Sequence, residues 1–300
     1  MPVPSTNVGL SHIAQEFGGT APHALSEYYG DTSSAPAVGS GSPIKFSHFA
    51  GQYGASFVGF QNLTPSVVNA SGSFTHWTTS NGLHPGGVTG IQNGDLCIVF
   101  ASVAQLANST GIGGSAQPKL LNVPSSDGTF TDVGSLLSDN TSAKFNRYVC
   151  YFTYDSSKST QRIVHNATST YVGFGLSGLL LVFRGVTTHY GYGITTQNYD
   201  GSAASNKPSP PSVTASQECK LWVTLAAGRD AGFDNTGKTI PSSSAPTGYT
   251  FIGHDRMNQS QHSSTVAAAY KLVEATTEDP DSWGTFDDNH NMGITIGFAI

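Results

Sequence analysis

Apolar residues in this chain gather into short unbroken runs separated by polar, glycine-bearing stretches, and the runs carry no helical period. The clearest is Gly94-Asp-Leu-Cys-Ile-Val-Phe-Ala-Ser-Val103, echoed at Cys219-Lys-Leu-Trp-Val-Thr-Leu-Ala-Ala-Gly228. Both are rich in β-branched and aromatic residues and are bounded by Gly, Asp or charge, which is how a strand buried in a β-core reads. The same succession follows each: a polar loop with Pro and Gly, an aromatic strand, a polar hairpin and a closing apolar strand. The aromatic strands are Tyr148–Tyr154 and Val266–Val273, and the closing strands are Gly178–Arg184 and Met292–Ile300. Phe57-Val-Gly-Phe60 and Ser71–Trp77 read as short opening strands. The pattern predicts an all-β fold: an antiparallel, jelly-roll-like β-sandwich of two pseudo-repeated halves, about 56–186 and 212–300. Between them Thr187–Pro211 reads as a polar crossover, closed by Lys207-Pro-Ser-Pro-Pro211, a cluster that has no place in a central strand.

Residues 1–55 follow another rule. Leu10–Gly19 reads as one short helix, with Ser11 placed to cap it, Ile13 and Phe17 four apart on one face, and Gly18 placed to stop it. Leu25–Gly30, with Tyr28 and Tyr29, repeats the plan, and Phe46–Gly51, with Phe49, does so again. Isolated helices under about 12 residues are marginal in water, so such turns must dock on something. Either the sandwich or another subunit could receive them, and the long Gly/Ser/Pro linker 30–43 favours another subunit. The predicted organisation is an amino-terminal docking arm, 1–55, and a β-sandwich domain, 56–300.

Composition sharpens this picture. Charged residues make up 11% of the 300, well below the roughly 25% usual in soluble domains, whereas hydrophobic residues make up 37% and cluster in runs. That is the profile of a neutral, polar-surfaced β-protein, and it is not one of disorder. A formal net charge of −6 with scattered Lys and Arg argues against a nucleic-acid partner. No apolar run approaches the roughly 20 residues a membrane span needs, so no membrane partner is expected. The opening residues lack a basic region followed by an apolar core, so synthesis without export is expected, and the sequons at Asn62 and Asn166 read as incidental. Cys97, Cys150 and Cys219 each sit in an apolar run at wide spacing, which predicts buried free thiols.

The arm segments Leu10-Ser-His-Ile-Ala-Gln-Glu-Phe-Gly-Gly, Leu25-Ser-Glu-Tyr-Tyr-Gly and Ile44-Lys-Phe-Ser-His-Phe-Ala-Gly resemble an attachment segment common in structural proteins of tailed phages, especially marine ones. The remainder resembles a β-sandwich module of phage tail and appendage proteins. Its landmarks here are Gly94–Phe100, Val182–Val186, Pro211–Thr214, Leu225–Asp230, Pro246–Thr250 and the terminal Gly293–Ile300. Asn122–Phe130 stands where that family usually shows a Pro-x-Gly-Trp turn. The resemblance implies a non-enzymatic virion protein of the tail (fibre, baseplate or adaptor) that attaches by its arm to other virion subunits. It also implies self-association as a homotrimer or ring. The alternatives are a receptor- or carbohydrate-binding module at a fibre tip, with host-surface glycan as partner, and a head decoration protein.

The chemistry-bearing residues form no catalytic constellation, and no catalytic residue, metal or cofactor is expected. Ten His residues are dispersed without an H-x-H or H-E-x-x-H pair, and no G-x-S-x-G elbow occurs. Two carboxylates of a glycan-degrading site could be chosen only arbitrarily. Arg184 is expected to pair with a carboxylate or loop carbonyls at a sheet edge. Asp279, Asp281, Asp287, Asp288 and His290, like Asp230 and Asp234, read as solvated turns before a calcium loop. Tyr190, Tyr192 and Tyr199, on a Gly-flexible stretch, are the candidate surface-binding aromatics, and the competing reading has them packing on their own sandwich.

Overall fold

The computed structural model describes residues 55–62, 85–106, 131–140, 143–157, 174–186, 188–197, 207–229, 240–259, 262–284 and 290–299. The docking-arm residues Ser11, Ile13, Phe17, Leu25, Tyr28, Tyr29, Phe46 and Phe49, the opening strand Ser71–Trp77, and Tyr199, Asp230, Asp234, Asp287 and Asp288 lie outside the described residues.

Among the described residues ten strands run in chain order: β1 Ser56–Asn62, β2 Leu96–Leu106, β3 Thr131–Asn140, β4 Ala143–Thr153, β5 Phe174–Arg184, β6 Thr188–Gln197, β7 Val213–Arg229, β8 Thr250–Gln259, β9 His262–Glu278 and β10 His290–Ala299. Among the described residues the helical pieces are 3-10 turns at Pro85–Gly87 and Ser242–Ser244. The strands form two five-stranded sheets, ordered β1-β5-β2-β4-β3 and β6-β10-β7-β9-β8, and every paired neighbour is antiparallel. The described residues are mostly β-strand with almost no helix, consistent with the predicted all-β class.

The path differs from the jelly-roll expectation, in which the chain passes repeatedly between sheets. Here β1–β5 complete the first sheet before β6 opens the second. The stretch read as a polar crossover contains β6, an edge strand of the second sheet. Its Gly and Thr residues weaken the apolar signal, and an edge strand with one face on the core can afford that. Strands β3 and β8 were hidden for the same reason: Thr131-Asp-Val-Gly-Ser and Thr250-Phe-Ile-Gly-His are polar edge sequences, each broken by a bulge ahead of its Gly.

One cluster of buried side chains draws on both sheets. Leu96, Ile98 and Phe100 of β2 join Leu179, Leu181 and Phe183 of β5. Leu221, Val223 and Leu225 of β7 and Met292, Ile294, Ile296 and Phe298 of β10 complete it. These are alternate positions, as a period of two requires for one face. The intervening residues are buried as well, including Cys97, Val99, Cys150, Leu180, Val182 and Trp222, which is why the runs read as continuous. Over the outer face of the second sheet, Trp283 is fully buried and its indole N–H donates to Thr224 Oγ1 at 3.2 Å. Its backbone N–H donates to Pro208 O at 2.8 Å, and Thr295 Oγ1 donates to Pro211 O at 2.7 Å, so the proline cluster is strapped across β10.

Candidate functional site

Strand β6 carries the two surface candidates that can be placed, and its bulge decides which faces out. His189 pairs with Phe298 and Gly191 with Gly297, so Tyr190 is the extra residue. Tyr190 is half-buried against the cluster of Val213, Ala215, Cys219 and Trp222, a structural position. Tyr192 is 50% exposed, with its ring 5.6 Å from His189. The glycines here serve close packing and not the flexibility the sequence suggested. A Cβ on Gly193 would stand 2.7 Å from Pro211 Cγ, and one on Gly191 would stand 3.0 Å from Ala215 Cα.

A second exposed aromatic escaped the sequence reading. Phe60 of β1 is 39% exposed, and its ring lies against Gly253 of β8, where a Cβ would come within 2.7 Å. The available signal was a shared Gly-aromatic pair, Gly59-Phe60 and Gly191-Tyr192, each following a bulge on an outer strand. Neither β1 nor β6 contains a charged residue. A neutral edge with a protruding ring, and at β6 an imidazole beside it, can stack on a sugar face or on a partner's aromatic side chain.

Several of the ionisable residues that can be placed are engaged in structural contacts. Arg184 grips Asp95 through both carboxylate oxygens, at 3.0 and 2.9 Å, and also donates to Gly90 O at 2.9 Å. This is the sheet-edge pairing predicted for it. Asp95 further accepts from Gln92 N, which fixes the turn entering β2. Lys271 binds Glu278 at 2.7 Å and stands 5.7 Å above the Tyr249 ring. Asp279 and Asp281 are exposed, and among the described residues no three His, Cys, Asp or Glu gather as metal ligands.

The three cysteines are free and buried, as their apolar setting predicted. Burial, followed by the charge of Asp95, drives the Cys97 thiol far above its usual pKa, and burial pushes Cys219 up to about 11. Such thiols are poor nucleophiles. Asp255 is the outlying carboxyl. Burial raises it to about 6, against the hydrogen bonds it accepts from the backbone of Gly178 and Arg256. The Gly178 bond, 2.8 Å long, ties β8 of one sheet to β5 of the other. Beside it Ser177 Oγ and Ser264 Oγ meet at 2.8 Å, and Ser264 Oγ donates to Ser102 O at 3.3 Å. These contacts form a polar seam between the sheets, which sequence reasoning missed because each residue is unremarkable alone.

Compared with known proteins, the chain matches no family model, no curated protein and no solved structure.

Proposed function

We propose that this chain is a non-enzymatic structural protein of a phage tail. Its two sheets pack face to face as a β-sandwich that supplies rigid bulk, and its first 55 residues dock on neighbouring virion subunits in a homo-oligomeric fibre, baseplate or ring. The observation that carries the reading is the pairing of two alike five-stranded sheets over one apolar core. A body sealed in this way presents faces and edges for assembly, and the arm motifs have the order seen in phage attachment segments. Removing residues 1–55 tests the proposal. The truncated chain should keep the β-sheet circular dichroism and unfolding transition of the full chain while failing to enter particles. Normal incorporation of the truncated chain would refute the docking role.

The exposed ring of Tyr192 beside His189 favours a second reading, a glycan- or receptor-binding module at a fibre tip. On that reading the purified chain binds host-surface glycans on an array, and Tyr192→Ala abolishes the signal.

A further inference from the structure

The two sheets agree in register as well as in strand order. Leu96 of β2 pairs with Thr153 and Phe183, and Leu221 of β7 pairs with Leu272 and Phe298. Thr131 faces Tyr151, and Thr250 faces Tyr270. The bulges coincide too, at Phe57/Gly59 and His189/Gly191 on the outer strands, and at Asp132/Gly134 and Phe251/Gly253 on the opposite edges. Chain entry into the central strand repeats as Pro85-x-x-Val88-Thr89-x-x-Gln92-x-x-x-Leu96 and Pro210-x-x-Val213-Thr214-x-x-Gln217-x-x-x-Leu221. Each valine lies where a Cβ on the bulge glycine would fall: Val88 under Gly59 at 2.8 Å, and Val213 under Gly191 at 3.2 Å. Phe60 and Tyr192, the two large apolar side chains exposed among the described residues, occupy matching positions.

The contacts between the sheets follow the same correspondence. Phe57 and Phe183 of the first sheet form a three-ring cluster with Tyr270 of the second, with centroids 5.3 to 5.6 Å apart. Their counterparts His189 and Phe298 of the second sheet form one with Tyr151 of the first, 5.5 to 5.9 Å apart. Each cluster takes two rings from one sheet and one from the other, with the roles exchanged. At these clusters position i meets j while j meets i, the reciprocity of an isologous contact. The correspondence holds at this aromatic end. Elsewhere the packing is one-sided: among the described residues β5 and β2 lie close to β8 and β9 with no like approach of β10 and β7 to β3 and β4, and Asp255 and the Ser177–Ser264 pair add polar contacts there.

From this reciprocity we infer that the aromatic end of each half is one interaction surface used twice. Through it each half is the other's fitting partner, and the halves hold together with or without the short link between β5 and β6. The inference rests on the face-to-face packing proposed above, and not on the assembly role.

Two measurements test it, and neither involves virions. A protease site inserted between Val186 and Thr188 of the full chain allows that link to be cut after folding. The cut protein should elute as the intact chain does and should regain its near-ultraviolet circular dichroism after transfer out of denaturant. Separation of the pieces on cutting would overturn the inference. In the uncut chain, double-mutant cycles on Tyr151/Phe298 and Tyr270/Phe183 should both show coupling, roughly twofold to tenfold in the unfolding equilibrium constant, as edge-to-face ring pairs give. Coupling in one pair with none in its counterpart would also overturn it, because one contact used twice must couple in both places. A failure of assembly would leave both results unchanged.

Discussion

Gly293→Ala should be among the most damaging single-methyl additions in this chain. Gly293 lies in β10, between β6 and β7, and the proline cluster crosses directly over it. An added Cβ would stand 2.4 Å from Pro210 N, 2.5 Å from Ser209 C and 2.7 Å from Pro210 Cα, all of them backbone atoms that cannot swing aside. The strap must lift. Lifting it strains the bonds that hold it, Thr295 Oγ1 to Pro211 O and Trp283 N to Pro208 O. Overpacking costs about 1–3 kcal/mol, and each hydrogen bond lost adds ~1 kcal/mol. The sum with both bonds lost, about 3–5 kcal/mol, is a large share of the ~5–15 kcal/mol typical of a folded protein. Urea unfolding followed by tryptophan fluorescence reads it directly, since Trp283 is hydrogen-bonded to the strap. Gly248→Ala is the control. Its φ of 79° makes alanine strained, about 1–2 kcal/mol, but nothing lies within 4 Å of the new methyl. If Gly293→Ala costs no more than Gly248→Ala, the packing of the strap on β10 is wrong.

Three further outcomes follow from the buried polar groups. Asp255, raised from 3.8 to about 6, favours its protonated form in the fold, so its contribution is complete below pH ~4 and is lost as pH rises toward 6, ~3 kcal/mol at most. His189 and His254 are held below 6.5 by burial and act oppositely, losing stability as pH falls, so the Asp255 component is read as the difference between wild type and Asp255→Asn across pH 4–7. Arg184→Ala leaves the Asp95 carboxylate, 3% exposed, without its bidentate partner and should cost about 2–3 kcal/mol in chemical denaturation. Arg184→Lys should recover less than half of this, because an ammonium cannot reproduce the fork. Ellman's reagent should leave the three thiols essentially unmodified in the native protein and titrate all of them in denaturant; prompt reaction of Cys219 in the native state would contradict its burial.

The central strands were legible because they are buried on both faces. Cys97, Val99 and Leu180 on the outer side are as enclosed as Ile98 and Leu181 on the inner, and that produces an unbroken apolar run. The edges were not legible, because half of an edge strand's residues face water. In β6, Gly191 and Gly193 looked like loop flexibility, whereas they let Pro211, Val213 and Ala215 lie close. The twofold echo was visible in the two longest runs. Its register was not, because it lives in isolated matches such as Thr131 with Thr250 and Gly134 with Gly253, which pairing alone brings into line. Arg184 could be anticipated as a sheet-edge pair, but its partner Asp95 could not, since 89 residues separate them. The Asp255–Gly178 contact, 77 residues apart, was equally out of reach.

Placement in the particle tests the account most directly. Electron cryomicroscopy of virions whose genome encodes this chain should find the two five-stranded sheets as a compact density in the tail, with residues 1–55 reaching into an adjoining subunit. Finding the protein in infected cells but missing from purified virions would contradict the account, as would finding it in the tail with its first 55 residues folded entirely against its own sheets.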